Sequence, residues 1–126
     1  YNDSGSSPQA RLLRDVLSMS KLASGMLRGC LDALARLDVE SAMKITEGDR
    51  ELDEAFSDAL RRLATYMMED PRTIGHAINV LFIIRALERI GDHSKNIAEY
   101  VVYMVKGRDI RHLDVNTLNR EAFSSS

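Results

Sequence analysis

Asp49 and Asp53 lie four residues apart, and so do Glu88 and Asp92. On a helix this spacing puts both carboxylates of a pair on one side, about one turn apart. Like charges so placed repel by ~0.2–0.5 kcal/mol on an exposed helix, and by more where water is excluded. A positive charge is therefore expected between them. One source is a basic side chain, with Arg85, Arg89 and Lys95 nearby. The other is a metal. Clustered carboxylates with few histidines suit hard, oxygen-loving cations: iron(III), manganese, magnesium or calcium, with zinc a further candidate. The residues alone leave both sources open.

The two pairs fall where a plain helix would be apolar. At about 100° per residue, Asp49 lands inside the stripe formed by Ile45, Leu52, Phe56, Leu60 and Met67, and Asp53 on its edge. Glu47, Glu51, Glu54 and Asp58 fall on the opposite face and read as ordinary solvated charges. Later in the chain Arg85, Glu88, Asp92, Asn96 and Glu99 form a polar stripe. It continues the line of Ile74, Ile78 and Leu81, so it takes over a face expected to be buried one or two turns earlier.

Other chemistry is poorly supplied. There is no Glu-x-x-His, the motif of di-iron bundles, and no phosphate-cradling glycine loop, nucleophile elbow or HExxH. No residue set offers both an open coordination position and a proton shuttle, so the chain reads as a non-enzyme. His93 falls off the acidic stripe, and His76 and His112 have no ligand-spaced acidic partner. Met19, Met26, Met43, Met67, Met68 and Met104 read as core gap-fillers. The lone cysteine, Cys30, lies in an apolar periodic stretch. It is expected to be buried and inert, which fits a reducing compartment.

Three long helices must position these residues. Pro8 suits the first turn of a helix whose apolar residues recur at Leu13, Val16, Leu17, Ser20, Ala23, Leu27, Cys30, Leu31, Leu34 and Leu37, ending near Arg36. Gly25 and Gly29 lie inside it, explained by close helix packing. Asp38 can cap a second helix, with Glu40 favourable in its first turn, running along Ala42, Ile45, Leu52, Phe56, Leu60, Leu63 and Met67 to about Glu69. Asp70-Pro71 then closes one helix and caps the next. The third is expected from Pro71 to Lys106, with Gly107 as a left-handed stop. Its first half, Ile74 to Leu87, is apolar nearly all round, as in a helix buried on several sides. Short connections between helices of roughly 45–54 Å force antiparallel neighbours. The expectation is an all-α, antiparallel up-down three-helix bundle over residues 9–107. A flexible lead-in (1–8, Pro8 opening the helix) would precede it, and a partly disordered tail (108–126), with room for a turn or small helix over Arg108 to Phe123, would follow.

The chain's 126 residues, 44% of them hydrophobic and 29% charged, suit one soluble domain with a real core. A formal charge of −2 and the lack of a basic cluster argue against nucleic acid. With seven glycines and two prolines, the turn residues an all-β fold needs are missing. No apolar run is long enough to span a membrane and no signal-peptide pattern opens the chain.

LERIGDHSKNIAEYVVYMVKGRDIRH (Leu87 to His112) closely resembles the last helix of the PhoU family. MEDPRT (Met68 to Thr73) and EGDRELDEAF (Glu47 to Phe56) also follow its pattern, and the resemblance covers about residues 9–112. It implies a bundle whose E/D-x-x-x-D motifs hold metal ions or clusters, matched here by Asp49 and Asp53 and by Glu88 and Asp92; Asn96 and Glu99 follow the later motif. It further implies a cytoplasmic, commonly oligomeric regulator that joins a phosphate ABC transporter ATPase to a sensor histidine kinase and keeps the phosphate regulon off. Such a protein is peripheral to the membrane only through its partners. The family has two such bundles in tandem and this sequence has one, so an uncovered apolar face is expected to drive self-association, as a dimer. The competing expectation is a metal-free structural or dimerisation bundle whose acids are neutralised by basic side chains.

Overall fold

The computed structural model describes the backbone of residues 7–124 and the side chains of residues 7–107. Of the lead-in expected at residues 1–8, residues 1–6 lie outside the described residues, as do the side chains of the tail, His112 among them. The chain forms α1 (Pro8–Arg36), α2 (Val39–Glu69), a single 3₁₀ turn (Pro71–Thr73) and α3 (Ile74–Ser124). Each long helix packs against both others. Among the described residues there is no strand, and no helix is long and apolar enough to cross a membrane. The all-α three-helix bundle is as expected.

Local chemistry sets the helix ends. The Ser7 hydroxyl accepts the Ala10 amide at 3.0 Å, with Pro8 in the first turn. Asp38 caps α2, accepting from the Ser41 amide at 3.2 Å and the Ser41 hydroxyl at 2.8 Å. Asp70 accepts from the Arg72 amide at 3.2 Å, but what it caps is the 3₁₀ turn. Regular α3 therefore starts at Ile74, three residues later than expected. α1 ends in a Schellman motif: the Asp38 amide donates to Ala33 O at 3.0 Å and the Leu37 amide to Leu34 O at 3.3 Å. Leu37 takes the left-handed position (φ 51°) that glycine usually holds.

The stop expected at Gly107 is overturned. No described glycine has positive φ, and α3 runs through Gly107 to Ser124. A glycine inside a helix costs only ~1 kcal/mol relative to alanine, too little to end a helix this long.

The seam between the helices repeats by heptads, as in a left-handed coiled coil. On α1 the buried line is Leu12, Met19, Met26 and Ala33; on α3 it is Ala77, Ile84, Gly91 and Ala98. On α2 it is Ala42, Asp49, half-buried Phe56 and Leu63, beside Leu52, Ala59 and Tyr66. Val16, Ala23 and Cys30 fit the stripe expected for the first helix, but Leu13, Leu17, Leu27, Leu31 and Leu37 do not: they are exposed, Leu13 by 59%. The inward residues are the more compact or flexible Met19, Met26 and Ala33. Cys30 is buried, as expected, and its thiol donates to Leu27 O.

The first half of α3 is likewise not buried on several sides. Ala77, Val80 and Ile84 face the core, whereas Ile74, Ile78, Phe82 and Ile83 are exposed, Phe82 by 66%. Two neighbours can cover only part of a helix that is apolar all round. Leu13 and Ile83 line one groove between α1 and α3. Met43 and Met68 are also exposed, so not every methionine fills the core.

Close approach explains two glycines. A Cβ on Gly91 would collide with the Leu52 side chain, and one on Gly29 with Ile45 Cδ1. Gly25 has nothing nearby, so the packing explanation holds for Gly29 alone of that pair.

Candidate metal centre

The apolar core is divided in two. A larger cluster runs from Leu12 to Met26 on α1, Leu52 to Tyr66 on α2 and Ala77 to Ile84 on α3. A smaller one gathers Cys30, Ala33, Ala42, Ala98 and Val101. Between them along the helices come Asp49 and Ser94, the two buried polar residues among the described residues. The Ser94 hydroxyl is satisfied by Ile90 O, 2.8 Å away on its own helix. Asp49 is not so simply satisfied.

Asp49 is in the centre of the α2 heptad line because its number, like those of Ala42 and Leu63, falls on the seam. It is 6% exposed. Its Oδ2 is 3.5 Å from Lys95 Nζ on α3, and its Oδ1 is buried without a hydrogen-bond partner. An unsatisfied buried acceptor costs about 1–3 kcal/mol, and more for a charged group. Such an atom calls for a hydrogen-bond donor or a cation.

One turn along α2, Asp53 turns towards the same point, and Asp92 reaches it from α3. Oxygens of Asp49, Asp53 and Asp92 all lie within 4.8 Å of one another. Oxygens bound to one ion at about 2.0–2.6 Å are at most about 4–5 Å apart, so this spread fits a single cation. The donor set is all oxygen, as hard cations prefer. Of the four acids expected to converge, Glu88 stands outside this triad, half-buried one turn before Asp92. Glu99 and His93 also stand outside it, and both are exposed, as is Asn96; within the triad Asp49 is buried while Asp53 and Asp92 are exposed. Glu47, Glu51, Glu54 and Asp58 are exposed on the far face, as expected.

Electrostatics bind Glu88 to the cluster even so. Its carboxyl is held above the usual range, by burial first and then by the charges of Asp92 and Asp53; Arg85 pulls it back down, and Asp49 adds to the rise. The Asp53 carboxyl is raised too, by burial and then by Asp49 and Asp92, with Lys95 opposing. Asp53 is close enough to hydrogen-bond Asp49 when it carries a proton. Lys95 was among the basic residues in reach by sequence; its pairing with Asp49 follows from the antiparallel register of α2 and α3, which sets Leu52 against Gly91.

Fold and cluster together define a class: an all-α antiparallel bundle carrying an oxygen-donor cluster on the seam of two helices. The chain belongs to the PhoU family, whose PhoU domain matches residues 16–101. It is 40% identical over 119 residues to the phosphate-specific transport system accessory protein PhoU homolog of Pseudomonas aeruginosa, covering 94% of this chain and 48% of that protein. To the phosphate-specific transport system accessory protein PhoU of Escherichia coli K12 it is 41% identical over 109 residues, 86% of this chain and 45% of that one. The crystal structure of PhoU from P. aeruginosa matches with a TM-score of 0.70 at 44% identity, covering 71% of this chain and 43% of the other. The chain thus spans a little under half the length of the curated relatives it matches.

Proposed function

We propose that this chain is a regulatory bundle, not an enzyme, that serves phosphate uptake and phosphate-regulon signalling in the cytoplasm. Its α2–α3 seam would hold an oxygen-ligated divalent or trivalent cation. Its kinship with accessory proteins of phosphate-specific transport supports the first part. The observation that carries the second is the buried Asp49 carboxylate, one oxygen of it unpartnered, gathered with those of Asp53 and Asp92. Asp49, Asp53 and Asp92 would be direct ligands and Glu88 an adjoining acid. Iron, manganese, magnesium, calcium and zinc are the candidates. The ion would neutralise the carboxylates and clamp α2 to α3. The partners proposed are the ATPase of a phosphate ABC transporter and a sensor histidine kinase. A second copy of the chain is a further partner, supported by the exposed leucines of α1 and isoleucines of α3.

Metal analysis of protein purified without chelator tests the cation. Asp49→Asn with Asp92→Ala should empty the site and leave helicity intact, while Glu88→Ala alone should lower occupancy less. Metal content indifferent to the Asp49 and Asp92 changes would remove the site. Sedimentation at tens of micromolar tests self-association, and a monomer there would end that part.

The Lys95–Asp49 ion pair favours a second reading, in which the bundle is a metal-free scaffold neutralised from within. On that reading the purified protein carries no stoichiometric metal and takes none up.

A further inference from the structure

We propose that Lys95 is a tethered counter-cation: its ammonium takes the positive-charge position of the carboxylate cluster while no metal is bound, and an entering ion displaces it. The proposal rests on the cation reading above and assigns that site its regulation.

The geometry has three parts. Lys95 follows Asp92 by three residues on α3, so its stem rises from the same face and reaches across the seam to Asp49. The Nζ–Oδ2 separation of 3.5 Å is longer than the 2.7–2.9 Å of a firm charge-assisted bond, so the ammonium is held loosely. The Lys95 side chain is 39% exposed against 9% for Asp49. The ammonium thus enters from the solvent side on a flexible four-carbon stem and can leave the same way, while the carboxylate stays in place.

Charge makes the occupancy exclusive. One ammonium faces Asp49, Asp53 and Asp92, with Glu88 beside them, and leaves Asp49 Oδ1 without a partner. A divalent or trivalent ion bound to Asp49 at about 2.0–2.6 Å would share that carboxylate with a second cation and repel it. Lys95 and the ion therefore compete for Asp49. The lysine keeps the empty cluster tolerable, and by the same contact it weakens the ion's hold.

Calorimetric titration of chelator-treated protein with Mn²⁺ tests this in wild type, Lys95→Gln and Lys95→Arg. Lys95→Gln should bind about tenfold more tightly, within the usual range of coupling between two ligands of one site. Lys95→Arg, which keeps the charge, should stay near wild type. In wild type, acetylation of the Lys95 amine, followed by peptide mass spectrometry, should quicken when Mn²⁺ is saturating. Equal or weaker binding by Lys95→Gln, or labelling that Mn²⁺ leaves unchanged, overturns the role of Lys95 and spares the site. Failure of all three proteins to bind overturns the cation reading, and this proposal with it.

Discussion

Arg62 on α2 clasps Asp15 on α1 with two bonds, Nε to Oδ2 at 2.7 Å and Nη2 to Oδ1 at 2.6 Å. Asp15 is largely covered and Arg62 nearly half exposed, so the pair is only partly screened. The contact raises the Arg62 guanidinium pKa, chiefly through the hydrogen bonds to Asp15. Two parallel bonds put this pair at the strong end of surface ion pairs. A double-mutant cycle with Asp15→Ala and Arg62→Ala should yield a coupling of about 1 kcal/mol at low salt, shrinking as salt is added. A coupling of zero would make the pair decorative.

Gly91 is the residue on which α2 and α3 close. Gly91→Ala gains up to about 1 kcal/mol in helix propensity but drives a methyl into buried Leu52, with Met26 behind it. Overpacking of this kind costs about 1–3 kcal/mol, so the net is a loss. Gly25→Ala, with open space around it, should stabilise by about 0.5–1 kcal/mol. Urea melts of the two variants should shift in opposite directions.

The buried carboxylate trades stability for its proposed ligand. In chelator, Asp49→Leu replaces an unsatisfied charge with a side chain suited to the seam, and should raise the melting temperature by about 4 °C. Added Mn²⁺ should stabilise wild type and leave this variant unmoved. A variant less stable than wild type in chelator would mean that the Lys95 contact is worth more than burial costs.

Asp53 and Glu88 hold protons more tightly folded than unfolded, since their carboxyls are raised. Between the unfolded and folded values of each, the native state binds the extra proton, so stability falls as pH rises through that window. Metal-free protein should accordingly gain stability from these two groups on acidification through the region just above the ordinary carboxylate range. Asp38 has the opposite sign: bonds from the Ser41 hydroxyl and amide hold its carboxyl below that range, so its contribution is lost as pH falls through its own depressed value. Melting temperatures of chelated wild type and of Asp53→Asn/Glu88→Gln, taken from about pH 7 to about pH 4, should converge as acid is added. Parallel curves would show that neither acid is raised.

Leu37 adopts a left-handed backbone that disfavours side chains by about 1–2 kcal/mol. Leu37→Gly relieves this, at the cost of some burial and of a freer unfolded chain. A net gain of up to about 1 kcal/mol is expected by chemical denaturation.

Periodicity made the architecture and the burial of Asp49 legible, because a charge on an apolar line shows in the spacing alone. It misled on α1, where Leu13, Leu17, Leu27 and Leu31 outweighed Met19, Met26 and Ala33. Bulk marks what can be buried, while the heptad seam selects what fits between close helices. Gly107 looked like a stop because glycine is common there, yet that signal has force only where the chain turns left-handed, and the chain does so at a leucine instead. The two acid pairs were visible, but that one member would stand aside was not. Which of four carboxylates face one point depends on the offset between two helices, and no spacing within one helix records it.

Because the donors come from both α2 and α3, neither helix alone can assemble the triad. Were an ion held there, it would tie the two helices together, and whatever favours the closed seam would tighten the ion's hold by the same factor that the ion favours closure.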